Sequence, residues 1–129
     1  RAERPAHWQT LELPAHLAGH VGQIKSEVVL LDCVTLLVSN LLMEFAHEEL
    51  VDETSFQQAV QEEIQALLAA IGASEQHWVI VSNEVGLGLV PPYPLGRIYR
   101  DALGWANQRL AQAADRVLLM VAGIPLQIK

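Results

Sequence analysis

Short unbroken runs of apolar residues mark the strands of this chain. Three runs rich in Val, Leu and Ile, at 27–32, 77–82 and 116–121, have the length and composition of strands buried on both faces. After the third run, Gly123 is expected to turn the chain, and 125–128 is predicted to add a short edge strand.

Longer stretches repeat apolar residues at steps of three or four and are predicted to be helices, at 34–45, 54–71 and 95–114. Residues 13–20 have room for one short helix, and the segment 83–94, rich in Gly and Pro, is predicted to be a loop packed on the domain. The clearest apolar face, in 54–71, consists of Phe56, Val60, Ile64, Leu67 and Ile71.

The boundaries of the 54–71 helix also follow from its residues. Thr54 and Gln57 have the spacing of a capping box, and Gly72 supplies the stop. Glu62 and Glu63 lie off the apolar face and are expected to be solvated.

The alternation of strands and helices predicts an α/β domain with a mainly parallel sheet flanked by helices. Ligands of such sheets bind at the carboxyl ends of the strands. Asp32 follows the first strand and 82–84 (Ser-Asn-Glu) follows the second, so these are the candidate site residues.

Composition restricts the class of protein. The 129 residues have the length of one domain, and 51 % of them are apolar, which favours a folded core over disorder. No apolar run is long enough to span a bilayer, so a soluble protein is expected. With 8 basic and 15 acidic residues the net charge is −7, which argues against a nucleic-acid partner. The single cysteine, Cys33, and the lack of a visible signal peptide favour the cytoplasm.

An acid that closes a buried strand is typical of the Walker-B position, where it holds Mg²⁺ beside nucleotide phosphates. Asp32 has this pattern, but the chain contains no GxxxxGK[ST] loop, and 86–88 lacks the third glycine of a dinucleotide fingerprint. His16 and His20 have metal-ligand spacing without a further ligand, so surface histidines are favoured. Ser82 lacks the GxSxG elbow of a hydrolase.

Trp8 and Trp105 are predicted to anchor the core or an interface.

Four groups of segments, taken together, resemble a known family. In this order and spacing they are similar to the bifunctional adenosylcobinamide kinase / adenosylcobinamide-phosphate guanylyltransferases of cobalamin biosynthesis, from Arg4 to Lys129. The segments are 4–12 (RPAHWQTLE), 29–35 with 39–42, 81–91 (VSNEVGLGLVP), and 99–101 with 107–111 and 121–126.

The resemblance implies a P-loop NTPase fold of RecA-like type. It also implies phosphorylation of adenosylcobinamide, followed by GMP transfer from GTP through a histidine-linked intermediate to give adenosylcobinamide-GDP. GTP, ATP and Mg²⁺ are the implied cofactors, and a cytoplasmic homotrimer is the implied assembly.

Residue by residue, the resemblance gives nucleotide-binding roles to Glu12, to Asp32, which is also the candidate Mg²⁺ ligand, and to the segment Arg1, Ala2, Glu3 and Arg4. Asn83 and Glu84 match the family pattern without an assigned role. His7 lies inside the RPxHW motif and is not the guanylylated histidine, which is expected upstream of Arg1 together with the P-loop and the first strand.

On this interpretation, 1–129 is a single α/β domain that forms the C-terminal portion of a longer nucleotide-binding domain. The chain then contains no catalytic residue, and alone it is expected to be inactive. Two alternatives stay open, a non-catalytic α/β binding or assembly module derived from a P-loop NTPase, and a different P-loop ATPase or kinase.

Overall fold

The computed structural model describes residues 4–47 and 50–129 of the chain. The helices are α1 (Ala18–Val21), α2 (Val34–Phe45), α3 (Glu53–Gly72) and α4 (Pro94–Ala113). The strands are β1 (Val28–Asp32), β2 (Ala46–His47), β3 (Leu50–Val51), β4 (His77–Val81), β5 (Leu118–Val121) and β6 (Ile124–Gln127). A single 3₁₀ turn covers Val85–Leu87. The predicted α/β class is confirmed, and the elements start and end close to the predicted residues, except that α1 is shorter than 13–20.

The parallel sheet consists of β1 and β4 in the described ranges. Their register runs from Val28 opposite His77 to Asp32 opposite Val81, so both strands end at the same edge. The crossover between them passes through α2 and α3 and includes the short antiparallel pair of β2 and β3.

The last two strands form an antiparallel hairpin of their own. The third predicted strand, 116–121, is observed as β5 and begins at Leu118. It pairs with β6 rather than with β1 or β4, so the expectation of one mainly parallel sheet is corrected at this strand. The reason is local, because the two-residue turn of Ala122 and Gly123, with φ of 50° and 78°, returns the chain alongside β5.

The hydrophobic core lies between the helices. The predicted face of α3 is confirmed at Phe56, Val60, Ile64 and Leu67, which are fully buried, while Ile71 is partly buried against them. Burying each such side chain contributes about 1.5–3 kcal/mol of hydrophobic free energy. The other core residues are Val34, Leu37, Val38, Leu41 and Leu42 of α2, Ala102, Leu103, Ala106 and Leu110 of α4, and Ala15, Leu17 and Val21 in and before α1.

The prediction that the strands are buried on both faces is wrong. Side chains along β1 and β4 alternate between exposed and half-buried. Leu31, Trp78 and Ile80 pack against the core. The helices therefore cover one face of the described pair, and successive side chains point to opposite faces. The exposed residues are Val28, Leu30, Val79 and Val81.

Asp52, rather than Thr54, caps the start of α3. Its carboxylate accepts hydrogen bonds from the backbone N–H of Ser55 at 3.1 Å and from Ser55 Oγ at 2.7 Å. Gln57 donates instead to Glu53, so the predicted capping box is absent. Asp52 lies one turn before the first apolar residue of α3 and reaches the free N–H groups there. The predicted end at Gly72 is confirmed.

The burial of Glu63 corrects a second prediction for α3. It was expected to be solvated, but its side chain is buried, with 6 % of its surface exposed. The backbone N–H groups of His16 and Leu17 donate to its carboxylate, at 3.0 Å and 2.8 Å. These two bonds compensate the loss of water around the charge.

Within the described ranges, no helix is both long and apolar enough to cross a membrane.

Candidate functional site

The candidate site lies at the edge of the sheet where β1 and β4 both end. Asp32 is the last residue of β1, and it stands opposite Val81, the last residue of β4. Ser82 and Asn83 follow directly, so the structure brings these two selected residues next to Asp32. The third selected residue, Glu84, instead caps the 3₁₀ turn, where its carboxylate accepts a hydrogen bond from the backbone N–H of Gly86 at 2.8 Å. In an α/β sheet this edge is where ligands bind.

The carboxylate of Asp32 is not used to hold the described part of the fold together. The residue is exposed, and among the described residues it accepts no hydrogen bond and forms no ion pair. No group of three or more His, Cys, Asp or Glu side chains in 4–47 and 50–129 is arranged to hold a metal. One exposed carboxylate at a strand end fits Mg²⁺, because Mg²⁺ in nucleotide sites takes one or two carboxylates and completes its shell with phosphates and water.

The chain leaving β4 is held by a polar network. Ser82 Oγ donates to Asn107 Oδ1 at 2.6 Å, and Asn107 Nδ2 donates to the carbonyl of Asn83 at 3.0 Å. The backbone N–H of Asn83 donates to Thr35 Oγ1 at 3.2 Å. These bonds connect β4 to α4 and to the first turn of α2, beside Asp32.

Tyr99 extends this network on the α4 side. Its hydroxyl donates to the carbonyl of Thr35 at 3.0 Å. Burial raises the pKa of the Tyr99 phenol above its ordinary 10.0, and the neighbouring Cys33 acts in the same direction. The phenol is therefore neutral at physiological pH and available as a donor, which holds the start of α2 against α4.

The loop after Asn83 is anchored by its backbone and exposes its apolar side chains. Arg100 donates to the carbonyl of Gly86 at 3.0 Å, and Arg97 donates to two proline carbonyls, of Pro91 at 3.1 Å and Pro92 at 2.9 Å. The expectation that the loop's apolar residues pack on the domain is confirmed at the partly buried Val85. The expectation is wrong at three other residues. Arg97 and Arg100 bind only backbone carbonyls of the loop, so those three side chains stay exposed to solvent. The exposed residues are Leu87, Leu89 and Val90, and Leu89 is 96 % exposed.

The N-terminal candidates are Arg1, Ala2, Glu3, Arg4 and Glu12. Arg1, Ala2 and Glu3 fall outside the described residues. Arg4 and Glu12 belong to a segment, 4–12, whose residues are all exposed. Arg4 Nη1 donates to Thr10 Oγ1 at 3.3 Å, and within the described ranges no hydrogen bond or ion pair joins Arg4 to the strand-end site.

The other aromatic and histidine candidates take structural or surface positions. Trp105 is half-buried, with the guanidinium carbon of Arg109 6.0 Å from its ring centroid, whereas Trp8 is half exposed and outside the core. His16 is exposed, as expected, and its Nδ1 lies 3.5 Å from Glu63 Oε2.

Thr35, Tyr99 and Asn107 hydrogen-bond around the strand ends, and sequence analysis assigns no role to them. A signal existed for Asn107, because it is a polar residue on the packed face of α4, flanked by the buried Ala106 and Leu110. An amide at such a position needs hydrogen-bond partners inside the protein. Nothing comparable marks Thr35, whose role depends on a neighbour 48 positions away.

The chain matches one protein family over almost its full length. Residues 1–128 match the family model described as cobinamide kinase / cobinamide phosphate guanyltransferase. The bifunctional adenosylcobalamin biosynthesis protein CobU of Escherichia coli (strain K12) is 45 % identical over 134 residues, which is 100 % of this chain and 74 % of that protein.

Two further relatives show the same extent of similarity. The CobU protein of Salmonella typhimurium is 43 % identical over 98 % of this chain and 72 % of its own length. The bifunctional adenosylcobalamin biosynthesis protein CobP of Pseudomonas aeruginosa is 41 % identical over 100 % of this chain and 70 % of its own length. The chain thus spans between 70 % and 74 % of these relatives.

Proposed function

Because the chain belongs to the cobinamide kinase / cobinamide phosphate guanyltransferase family, we propose that it takes part in both reactions of that family in cobalamin biosynthesis. The family resemblance noted in the sequence is confirmed by these matches. In the first reaction a cobinamide hydroxyl oxygen loses its proton and bonds to the γ-phosphorus of a nucleoside triphosphate, and the nucleoside diphosphate leaves. In the second, the new phosphate receives GMP from GTP, and pyrophosphate leaves.

The observation that supports this proposal is the position of Asp32. Its carboxylate is exposed at the carboxyl end of β1, and no described residue neutralises or engages it. A carboxylate left in this state at a strand end is suited to act on a ligand rather than on the fold. We assign it to the phosphate-binding side of the nucleotide site.

Asp32 is also the residue that would hold Mg²⁺. When bound, the ion would offset part of the triphosphate's negative charge. The chain's own contribution is to fix the backbone that carries this carboxylate, since β1 is paired with β4 along its whole length and Cys33 occupies the N-cap position of α2 immediately after it.

Nucleotide contact is further assigned to Arg1, Ala2, Glu3, Arg4 and Glu12. Guanidinium groups bind phosphate through paired N–H donors, which suits Arg1 and Arg4 to a nucleotide. GTP and ATP are the proposed donors. We further propose a P-loop NTPase fold of RecA-like type, in which 1–129 forms part of a nucleotide-binding domain, and a homotrimer working in the cytoplasm.

The test is a product assay with the complete protein. Adenosylcobinamide, Mg²⁺ and either ATP or GTP are incubated with the enzyme, and the corrinoid is analysed by mass spectrometry. The expected result is a corrinoid that first gains a phosphoryl group and then, with GTP present, a GMP unit. A parallel incubation with α-labelled GTP is expected to give a protein-bound label that is lost in acid, as a nitrogen–phosphorus bond would be.

Two other outcomes would contradict the proposal. Nucleotide hydrolysis without any change to the corrinoid would indicate a different NTPase. Neither hydrolysis nor transfer would favour a non-catalytic binding or assembly module.

A further inference from the structure

We propose that Asn107 is a positioning residue, which holds the backbone of Asn83 so that the Asn83 side chain faces the ligand next to Asp32. This inference rests on the proposed function for the identity of the ligand, a nucleoside triphosphate. Its geometric part concerns the described residues alone and can be tested separately.

The first step is the location of Asn107. It lies on the face of α4 that packs against the core, next to the buried Ala106 and one turn after the buried Leu103. An amide on such a face costs free energy unless both of its polar atoms are hydrogen-bonded. Both are, because Oδ1 accepts from Ser82 and Nδ2 donates to Asn83.

The second step is the orientation of that amide, which the partners determine. The carbonyl of Asn83 can only accept a hydrogen bond, so the group of Asn107 that faces it must be the NH₂. The oxygen then faces Ser82, whose hydroxyl can donate. A reversed amide would put two acceptors together at Asn83.

The third step is what this does to Asn83. Both of its backbone polar groups are engaged, the N–H by Thr35 Oγ1 at 3.2 Å and the C=O by Asn107 Nδ2 at 3.0 Å. Its side chain is exposed and makes no hydrogen bond within the described ranges. Asn83 thus has a fixed backbone and a side-chain amide without a partner among the described residues. Because it lies two positions after Val81, which stands opposite Asp32, this amide is placed to hydrogen-bond a ligand beside Asp32.

The geometric test measures amide hydrogen exchange in the complete protein without substrate. Asn107→Ala is expected to raise the exchange rate of the Asn83 N–H about tenfold, because the Asn83 carbonyl is released and the residue is then held on one side only, by Thr35. Gln108→Ala, a change at the exposed next residue of α4, is the matched control and is expected to leave the rate unchanged. An unchanged rate in Asn107→Ala would overturn the positioning role, whatever the enzyme's activity.

The functional test is a double-mutant cycle on the transfer reaction. Asn107→Ala and Asn83→Ala are each expected to lower kcat about tenfold, and the double variant is expected to lose no more than either one. A merely structural role for Asn107 predicts losses that multiply, or a lower unfolding temperature with kcat unchanged. Either result would overturn the proposal.

A second variant covers the case in which Asn107→Ala fails to fold. Asn107→Asp keeps the shape and the acceptor for Ser82, but it places a carboxylate oxygen against the Asn83 carbonyl. It is expected to lower kcat at least as much as Asn83→Ala, and normal kcat in this variant would contradict the proposal. If the unsubstituted protein transfers neither phosphate nor GMP, the proposed function fails, and the exchange experiment still decides the role of Asn107.

Discussion

The carboxylate of Glu63 on α3 accepts a 2.8 Å hydrogen bond from the backbone N–H of Leu17, 46 positions earlier in the chain. It also accepts a 3.0 Å bond from the N–H of His16, whose φ of 59° turns the chain at this point. One buried side chain therefore ties the segment before α1 to the centre of the helical core.

Removing this carboxylate should cost stability. Glu63→Ala is expected to lower the free energy of unfolding by about 2–4 kcal/mol, because the buried N–H of Leu17 loses its acceptor. Glu63→Gln keeps one acceptor oxygen and is expected to lose about half as much. Urea unfolding followed by circular dichroism measures both.

Glu62→Ala is the matched control for this prediction. Glu62 is the exposed neighbour on the same helix, so its removal is expected to change stability by less than about 0.5 kcal/mol. Equal effects of the two alanine substitutions would contradict the role given to Glu63.

The cap of α3 makes stability depend on pH. The hydroxyl and then the backbone N–H of Ser55 hold the pKa of Asp52 below its ordinary 3.8. The folded protein therefore binds this proton less readily than the unfolded chain. The contribution of the cap is present above pH 3.8 and is lost as the pH falls through the lower pKa of the folded state.

The pH dependence is measured as the difference in unfolding free energy between the natural protein and Asp52→Asn. We expect a constant difference near neutral pH that shrinks toward the acid end of the titration. A difference that grows as the pH falls would have the wrong sign and would reject the cap as its origin.

The turn between β5 and β6 offers a stabilising substitution. Ala122 has a positive φ of 50°, a conformation in which its Cβ crowds the backbone, and Gly123 follows with 78°. Ala122→Gly is expected to raise the free energy of unfolding by about 0.5–1 kcal/mol, the relief of strain being partly offset by the entropy of the unfolded glycine.

A thermal unfolding scan is the measurement for this turn. Ala114→Gly is the control, because Ala114 has an ordinary φ of −66°. There the same substitution brings no relief and is expected to be neutral or destabilising. A lower unfolding temperature in Ala122→Gly would contradict the account of the turn.

Asp32 is predicted to affect the reaction and to leave stability unchanged. Asp32→Asn removes the charge with the same shape, and we expect kcat/KM for phosphate transfer to fall about a hundredfold, or about 2.7 kcal/mol in transition-state stabilisation. Because its carboxylate forms no hydrogen bond or ion pair among the described residues, the free energy of unfolding should change by less than about 0.5 kcal/mol.

Steady-state kinetics with Mg²⁺ and GTP test this prediction. Asp101→Asn is the control, since Asp101 is an exposed acid on α4. Equal rates for Asp32→Asn and the unsubstituted enzyme would remove Asp32 from the nucleotide site.

The helices could be predicted well because their apolar residues repeat over many turns. The face of α3 from Phe56 to Leu67 is an example, and its period leaves one orientation in which it can be buried. Strand burial could not be predicted in the same way. A short, continuous apolar run such as 27–32 has no alternation of apolar and polar residues, so it does not show whether one or both faces of the strand are buried. In the structure, β1 is covered on one face.

For the candidate site, the strand-end rule selects Asp32 and 82–84 from the sequence, and the structure places Asp32, Ser82 and Asn83 at one edge of the sheet. The groups that hold Asn83, Thr35 and Asn107, come from α2 and α4, up to 48 positions away. Such contacts depend on how the helices pack across the strand ends. The buried state of Glu63 was missed for the same reason, because its partners are backbone groups of a distant segment.

The pairing of β1 with β4 has a consequence for the order of folding. The hairpin of β5 and β6 closes through two residues, and such hairpins form in about 1–10 μs. Val28 and His77 are about fifty residues apart, so their pairing closes a long loop at a cost in chain entropy. We therefore expect it to form only after the intervening helices have packed together. Since Asp32 is positioned by that pairing, we expect the strand-end site to be among the last parts of the molecule to form.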